Sequence, residues 1–224
     1  MKQFIAALKR VSSLFENVDT RGVQVTDWQL VLARAVVGLI VALAGGVIAF
    51  LVANDRIIAG ILGTLAVVGV RFLICPKSES KGAWLLSRKI GTSGQEPNYS
   101  QMAFFVLTFL RPLCFFLLLM RGRWLWVAVA MTLAEAIVME METERSSVNL
   151  WSAACGASLV FGALMTVCGQ AAGGNGFVIT LIVCAIAWML PMVLKQLNLR
   201  MEREATLFAG EVFFLLLGIL GQAM

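Results

Sequence analysis

Long apolar runs recur along almost the whole of this sequence, and the polar stretches between them are short. A helix needs about 20 predominantly apolar residues to cross the hydrocarbon core of a bilayer, and it satisfies its backbone polar groups internally. Charged residues make up only 14% of the chain, where a soluble domain carries about a quarter. The sequence therefore predicts an all-α, polytopic membrane helix bundle that forms a single domain over residues 1–224.

Seven runs are long enough to be transmembrane helices. They cover residues 32–53, 57–75, 102–120, 124–141, 150–170, 176–194 and 205–223. Residues 1–30 instead place basic residues between apolar residues at helical spacing, which is typical of an amphipathic helix on an anionic membrane surface. Residues 76–101, rich in Ser, Gly and Lys, are predicted to form the longest loop. We therefore expect about seven spans and an N-terminal amphipathic segment.

The distribution of Lys and Arg predicts the orientation. Twelve of the eighteen lie on the side of the N-terminus, and the opposite side has three, namely Arg56, Arg121 and Arg123. The remaining three fall inside predicted spans, namely Arg34, Arg71 and Arg111. Because excess positive charge stays in the cytoplasm, the N-terminus and residues 76–101 are predicted to be cytoplasmic, in a bacterial inner membrane. The opposite loops look too short to build a site, so a polar ligand is expected to bind from the cytoplasm.

Arg111, Glu135 and Glu211 are charged residues within predicted spans. Charges inside a bilayer are costly, so they normally face a partner or a water-filled cavity. Arg111 is followed by Pro112, which removes a backbone donor and favours a kink. One interpretation is an Arg111–Glu135 ion pair across a hairpin of consecutive spans. The other is a role in substrate binding or transport.

Acidic residues cluster at the cytoplasmic ends of two predicted spans. Glu140 and Glu144 are four residues apart on one helical face, with Glu142 between them, and together they could hold a divalent cation. Glu202 and Glu204 form a second acidic group. A solvated helix end is the simpler interpretation of both. The chain has no histidine, so histidine-based catalysis and histidine metal ligands are excluded.

The segment SRKIGTSG, residues 87–94, combines a basic pair with glycines. Arg88 and Lys89 supply positive charge for a phosphate, and Gly91 would let backbone amides approach it closely. The segment lacks the spacing of a P-loop, and contact with anionic lipid headgroups is the alternative interpretation. No nucleic-acid partner is expected.

Five segments, taken in order, resemble the cobalamin 5'-phosphate synthase family, membrane enzymes also called adenosylcobinamide-GDP ribazoletransferases. The segments are FIAALKRVSSLFENV, VVGLIVALAGGVIAFLV, SRKIGTSG, GRWLWVAVAM and REATLFAGEVFFLLLGIL. They are similar, respectively, to the amphipathic start, the Gly-rich first span, the basic-glycine motif, the Gly-Arg-Trp helix start and the Glu-containing final helix of that family. Taken in order, they resemble the topology of that family over most of the chain.

The resemblance implies transfer of a GDP-activated cobinamide phosphate onto α-ribazole or its 5'-phosphate, with release of GMP. It thus implies corrinoid and nucleotide ligands in addition to the lipid bilayer. Family members hold Mg²⁺ with an Asp-rich motif, but the corresponding stretch here, CPKSESKGAWLL, has Glu79 as its only carboxylate. A divergent enzyme would combine Glu79 with acids from other loops, such as Glu142, Glu144, Glu202 or Glu204. Glu79 and Glu142 are then the expected metal ligands, and Glu79, Glu142, Glu144 and Glu202 the expected catalytic groups. The alternative is a relative that has lost catalysis.

A non-catalytic multi-pass membrane protein, either a transporter or the scaffold subunit of a complex, is the alternative function. The missing aspartates, the intramembrane Arg111 and the absence of histidine favour it, whereas the ordered series of similar segments favours the enzyme. A third possibility, a related lipid-type phosphoalcohol transferase, depends more heavily on the missing aspartates. A homo-oligomer is compatible with each of these functions.

Overall fold

The computed structural model describes residues 1–15, 18–20, 22–92, 97–142, 148–170, 176–197 and 201–221, without the side chains of 76–80 and 90–99. Every regular element in these ranges is an α-helix. The helices are α1 (Lys2–Val11), α2 (Asp27–Leu51), α3 (Arg56–Ile74), α4 (Pro76–Thr92), α5 (Pro97–Met120), α6 (Leu125–Glu142), α7 (Val148–Val167), α8 (Gly176–Gln196) and α9 (Arg203–Leu220).

Seven long helices, α2, α3 and α5 to α9, run alternately in opposite directions. At one end, the backbone amide of Ser13, just after α1, donates to the carbonyl of Ile74 at 2.6 Å, and Arg203 of α9 binds Glu142 at the end of α6. We call this the proximal end. At the other end, here the distal end, the amide of Leu125 donates to Oε1 of Gln170 at 3.2 Å. The chain therefore alternates between the two ends of one bundle.

Five of these helices, α2, α3, α5, α7 and α8, are long and apolar enough to cross a membrane. Helices α6 and α9 are also 18 residues long, but each includes three charged residues. Those residues are Glu135, Glu140 and Glu142 in α6, and Arg203, Glu204 and Glu211 in α9. The prediction of an all-α bundle with membrane-type helices is confirmed. The count of seven spans and the cytoplasmic N-terminus stay predictions.

Helix α6 lies at the centre of the bundle. Every residue from Leu125 to Glu140 is buried, and α2, α7, α8 and α9 pack around it. Small residues bring these helices close: a Cβ added to Gly38 of α2 would lie 3.1 Å from the Cα of Ala128. One added to Gly210 of α9 would lie 3.5 Å from the Cα of Ala134. Because lipid tails are themselves apolar, such close packing is what holds helices together in a membrane.

Helix α1 is amphipathic, as the sequence predicts. Its apolar face is buried, whereas Lys2 and Arg10 are exposed. The neighbour that covers the apolar face is α2, and the side-chain amide of Gln29 donates to the side-chain oxygen of Gln3 at 3.1 Å. Part of the apolar surface expected to face lipid is thus used to cover the proximal end of the bundle.

The prediction of a loop over residues 76–101 is wrong for most of its length, because Pro76–Thr92 form α4 and α5 already begins at Pro97. Helix α4 packs on α5 and α9, with Ala83, Leu85 and Ser87 buried. The polar composition of this segment led to the prediction of a loop, but an amphipathic helix needs only one apolar face. The mean hydropathy of a segment cannot show which residues share that face.

The contact between α6 and α9 provides a test of this packing. A Cβ added to Gly218 would overlap the indole ring of Trp126, whose Nε1 donates to the carbonyl of Phe214 at 2.8 Å. We expect Gly218→Ala to lower the free energy of unfolding by about 1–3 kcal/mol, since overpacking a close contact forces helices or side chains to shift. Unfolding by SDS in mixed micelles, followed by circular dichroism, measures the change.

Gly156→Ala is the matched control, because Gly156 of α7 has no atom within 4 Å of an added Cβ. Its unfolding curve should coincide with that of the unmodified protein or shift slightly towards higher stability. Equal losses in the two variants would contradict a close α6–α9 contact at Gly218.

Candidate functional site

Charged side chains from five helices meet in the proximal half of the bundle interior. Around Glu211 of α9, both terminal nitrogens of Arg71 contact the carboxylate, and Nη2 donates to Oε2 at 2.9 Å. The Nε of Arg111 lies 3.7 Å from the same Oε2. All three side chains are buried. Two of the predicted intramembrane residues, Arg111 and Glu211, are therefore brought together, and Arg71 of α3 joins them.

Glu135 of α6 is the second buried carboxylate of this cluster. Its Oε2 lies 3.9 Å from the Nε of Arg34, and its Oε1 accepts a hydrogen bond of 2.6 Å from Nη2 of Arg203. Nη1 of Arg203 also donates to Oε2 of Glu142 at 2.5 Å. Arg203 thus connects a buried carboxylate to one at the proximal surface. We refer to Arg34, Arg71, Arg111, Glu135, Arg203 and Glu211 as the charged cluster.

The predicted Arg111–Glu135 ion pair is wrong. Arg111 pairs with Glu211, while Glu135 pairs with Arg34 and Arg203. The prediction assumed that consecutive helices pack together, but α5 packs mainly on α3, α4 and α9, and α6 on other helices. The sequence indicated two of the true partners, because Arg34 and Arg71 also fall inside predicted spans and need a counter-charge there. Arg203 lies outside the predicted spans, so the sequence offered no reason to expect it in this cluster.

A cavity of about 250 Å³ lies beside Arg111, between α3, α4, α5 and α9. The guanidinium of Arg111 stacks on the ring of Phe208, 4.1 Å from its centroid, and Phe104 and Phe115 also line the cavity. Thr108 supplies a hydroxyl. Three of the eight lining residues are phenylalanines, and the one cation in the lining is already paired with Glu211, so the cavity is suited to an apolar group.

Helix α4 carries the predicted phosphate-binding residues along the proximal end. Arg88 and Lys89 are exposed, and the guanidinium of Arg88 lies 5.6 Å from the ring of Trp84. Lys81 forms an ion pair of 3.0 Å with Glu204 of α9, and the hydrogen bond from its ammonium holds the pKa of that carboxyl below its usual value. Gly91 lies in the last turn of α4, and its surroundings fall outside the described residues.

The carboxylates that the resemblance assigns to magnesium are not gathered in the described structure. Glu142 is bound by Arg203, and Glu202 is an exposed residue at the N-cap of α9. Within the ranges that the structure describes, no three His, Cys, Asp or Glu side chains form a group that could hold a metal ion. Glu144 and the side chain of Glu79 lie outside those ranges. The described acids therefore do not fit Mg²⁺, which favours near-octahedral oxygen ligation.

The expectation that the loops opposite the N-terminus are too short to build a site stays a prediction. A cavity of about 580 Å³ opens at the distal end, and half of its 14 lining residues lie in the connections between helices. No family model, no curated protein and no solved structure is similar to this chain.

Removal of the carboxylate of Glu211 tests the charged cluster. Glu211→Gln should lower the free energy of unfolding by about 3–5 kcal/mol, because it leaves Arg71 and Arg111 buried beside an uncharged partner. SDS unfolding in mixed micelles measures this loss. We expect partial rescue by Arg71→Met in the same chain, which removes one of the two buried cations.

Glu204→Gln makes the same chemical change on the same helix, where the ion pair with Lys81 is partly exposed. An exposed pair contributes about 1 kcal/mol at most, so this variant should unfold close to the unmodified protein. Similar losses in the two variants would argue that burial does not set the strength of these ion pairs.

Proposed function

We propose that this chain is a divergent membrane transferase of the cobalamin 5'-phosphate synthase type, spanning the membrane seven times with the N-terminus in the cytoplasm. It would join adenosylcobinamide-GDP to α-ribazole or its 5'-phosphate and release GMP. The observation that carries the proposal is that segments resembling that family, distant in sequence, are neighbours in the bundle. Helix α4, with its basic-glycine segment, packs on α9, the closing segment.

The packing of α4 on α9 supports a joint role for the two helices. A Cβ added to Gly82 of α4 would lie 2.6 Å from the carbonyl oxygen of Glu204, so only glycine allows this approach. The Lys81–Glu204 ion pair joins the same surfaces. Ala83 and Phe208, facing each other across this contact, also line the cavity beside Arg111. Helix α4 therefore carries exposed basic residues and also contributes Ala83 to the lining of a cavity that can take an apolar group.

The proposed reaction displaces a nucleotide at phosphorus. The α-ribazole hydroxyl oxygen attacks the phosphorus that bears cobinamide, and the bond from that phosphorus to the bridging oxygen of GMP breaks. Arg88 and Lys89 would neutralise the pyrophosphate, and GMP leaves with the bridging oxygen and the electron pair. Glu202 would accept the hydroxyl proton, since no described cation lies within ion-pair distance of it.

A second candidate, a non-catalytic transporter or scaffold subunit, is favoured by the ion pairs at the proximal end. Glu140 lies 3.6 Å from the Nζ of Lys195, Glu142 is bound by Arg203, and Glu204 is bound by Lys81. Three carboxylates that could have served a metal or a proton transfer are thus used to join helices. In this candidate, the cavity beside Arg111 binds its ligand without chemical change.

An assay of GMP release from adenosylcobinamide-GDP in the presence of α-ribazole and Mg²⁺ tests the proposal on the detergent-solubilised protein. We expect turnover, with a loss of about tenfold or more in Arg88→Ala, because a charge-assisted contact to the pyrophosphate is removed. Arg10→Ala, which removes an exposed arginine from α1, should keep the original rate.

Equilibrium dialysis with GDP on the same samples separates the two candidates. Ligand binding that depends on Arg88 without any GMP release would select the non-catalytic function. Absence of both GDP binding and turnover in a sample that unfolds cooperatively would overturn the transferase assignment and the role of Arg88 in it.

A further inference from the structure

Arg56, Arg121 and Arg123, the only basic residues that the sequence places at the distal end, all line the distal cavity. They come from two separate connections, since Arg56 begins α3 and the other two lie between α5 and α6. The fold thus gathers the whole basic content of this end around one space of about 580 Å³. Three arginines around one cavity concentrate positive charge there, which suits an anionic partner.

Counter-charge within the described residues is lacking for two of these arginines. Neither Arg56 nor Arg123 has a described carboxylate within ion-pair distance. Asp55 is the one acid in the connections of this end, and its Oδ1 accepts hydrogen bonds from the amides of Ile57 and Ile58 at 2.9 and 3.2 Å. That carboxylate therefore caps α3. Burial, together with the charge of Arg121, lowers the pKa of Arg123.

The rest of the cavity is suited to an amphiphile. Trp124 and Phe50 line it, and Phe50 is 79% exposed on the outer surface, next to Leu51 at 72%. A Cβ added to Gly46 would lie 2.5 Å from the indole of Trp124, so this glycine lets the ring lie against α2. The arginines lie at helix ends, the depth of lipid headgroups, while the exposed apolar side chains begin directly below them.

We propose that the distal cavity binds the phosphate of an anionic phospholipid through Arg56 and Arg123, with the acyl chains along the exposed apolar side chains of α2 and α3. Guanidinium groups bind phosphate oxygens through paired, charge-assisted hydrogen bonds. Phosphate alone would use the arginines but leave the adjoining apolar surface uncovered. The lipid site is separate from the proposed transferase site at the proximal end, so each assignment can be tested without the other.

Native mass spectrometry of the detergent-solubilised protein with phosphatidylglycerol, and with phosphatidylcholine of the same acyl chains, tests this site. We expect phosphatidylglycerol to bind at least tenfold more tightly. Arg56→Gln with Arg123→Gln removes two of the three positive charges but keeps the space, and should weaken its binding about tenfold or more. Ala53→Phe keeps the charge but fills the space, and should weaken it similarly.

Arg56→Lys with Arg123→Lys is the matched control, because it changes the same two positions but keeps both positive charges. It should keep the preference for phosphatidylglycerol. Equal binding of the two lipids, or unchanged binding in both cavity variants, would overturn the proposal. Displacement of phosphatidylglycerol by millimolar inorganic phosphate would overturn the lipid as the occupant and assign the site to free phosphate.

Discussion

The pairing of buried charges is the constraint on which the rest of this bundle depends. Three buried guanidinium groups, those of Arg34, Arg71 and Arg111, face the two buried carboxylates of Glu135 and Glu211. An isolated charge in such an interior is strongly unfavourable, whereas a paired and hydrogen-bonded one is tolerated. Because the partners belong to different helices, the ion pairs form only in one arrangement of the bundle. The charges therefore contribute more to the choice of packing than to its stability.

Close helix packing at small residues is the second determinant of the helix arrangement. Helix α6 can be covered on every side only because Gly38 and Gly210 bring α2 and α9 close to its alanines. In the same way, Gly82 lets α4 approach α9 closely. These contacts fix where the ends of the helices lie, and hence where the two cavities open. The proximal cavity contains one arginine and aromatic rings, while the distal one gathers three arginines. The different linings of the two cavities follow from the helix arrangement and not from any single motif.

The class of the fold could be predicted from the sequence because the recurrence of apolar runs is a property of composition along the chain. The partners of the intramembrane charges could not, since hydropathy says nothing about which helices are neighbours. Arg111 was expected to pair with a residue on the next helix but meets Glu211, which lies 100 positions later in the chain. Helix α4 was missed because its apolar face is narrow. The positions of Arg88 and Glu202 at the proximal end agree with the sequence, and their proposed roles remain predictions.

The burial of α6 from Leu125 to Glu140 has a consequence for how the protein is made. An isolated helix that includes Glu135 and Glu140 partitions poorly into a bilayer, because each ionised carboxylate is unfavourable in hydrocarbon. The basic residues that pair with these carboxylates are synthesised both before and after α6. Arg34 precedes it in the chain, and Lys195 and Arg203 follow well after it. The pairs of Glu135 with Arg203 and of Glu140 with Lys195 therefore form only after α8 and α9 have been synthesised. The order of synthesis leaves the centre of the bundle to be completed last.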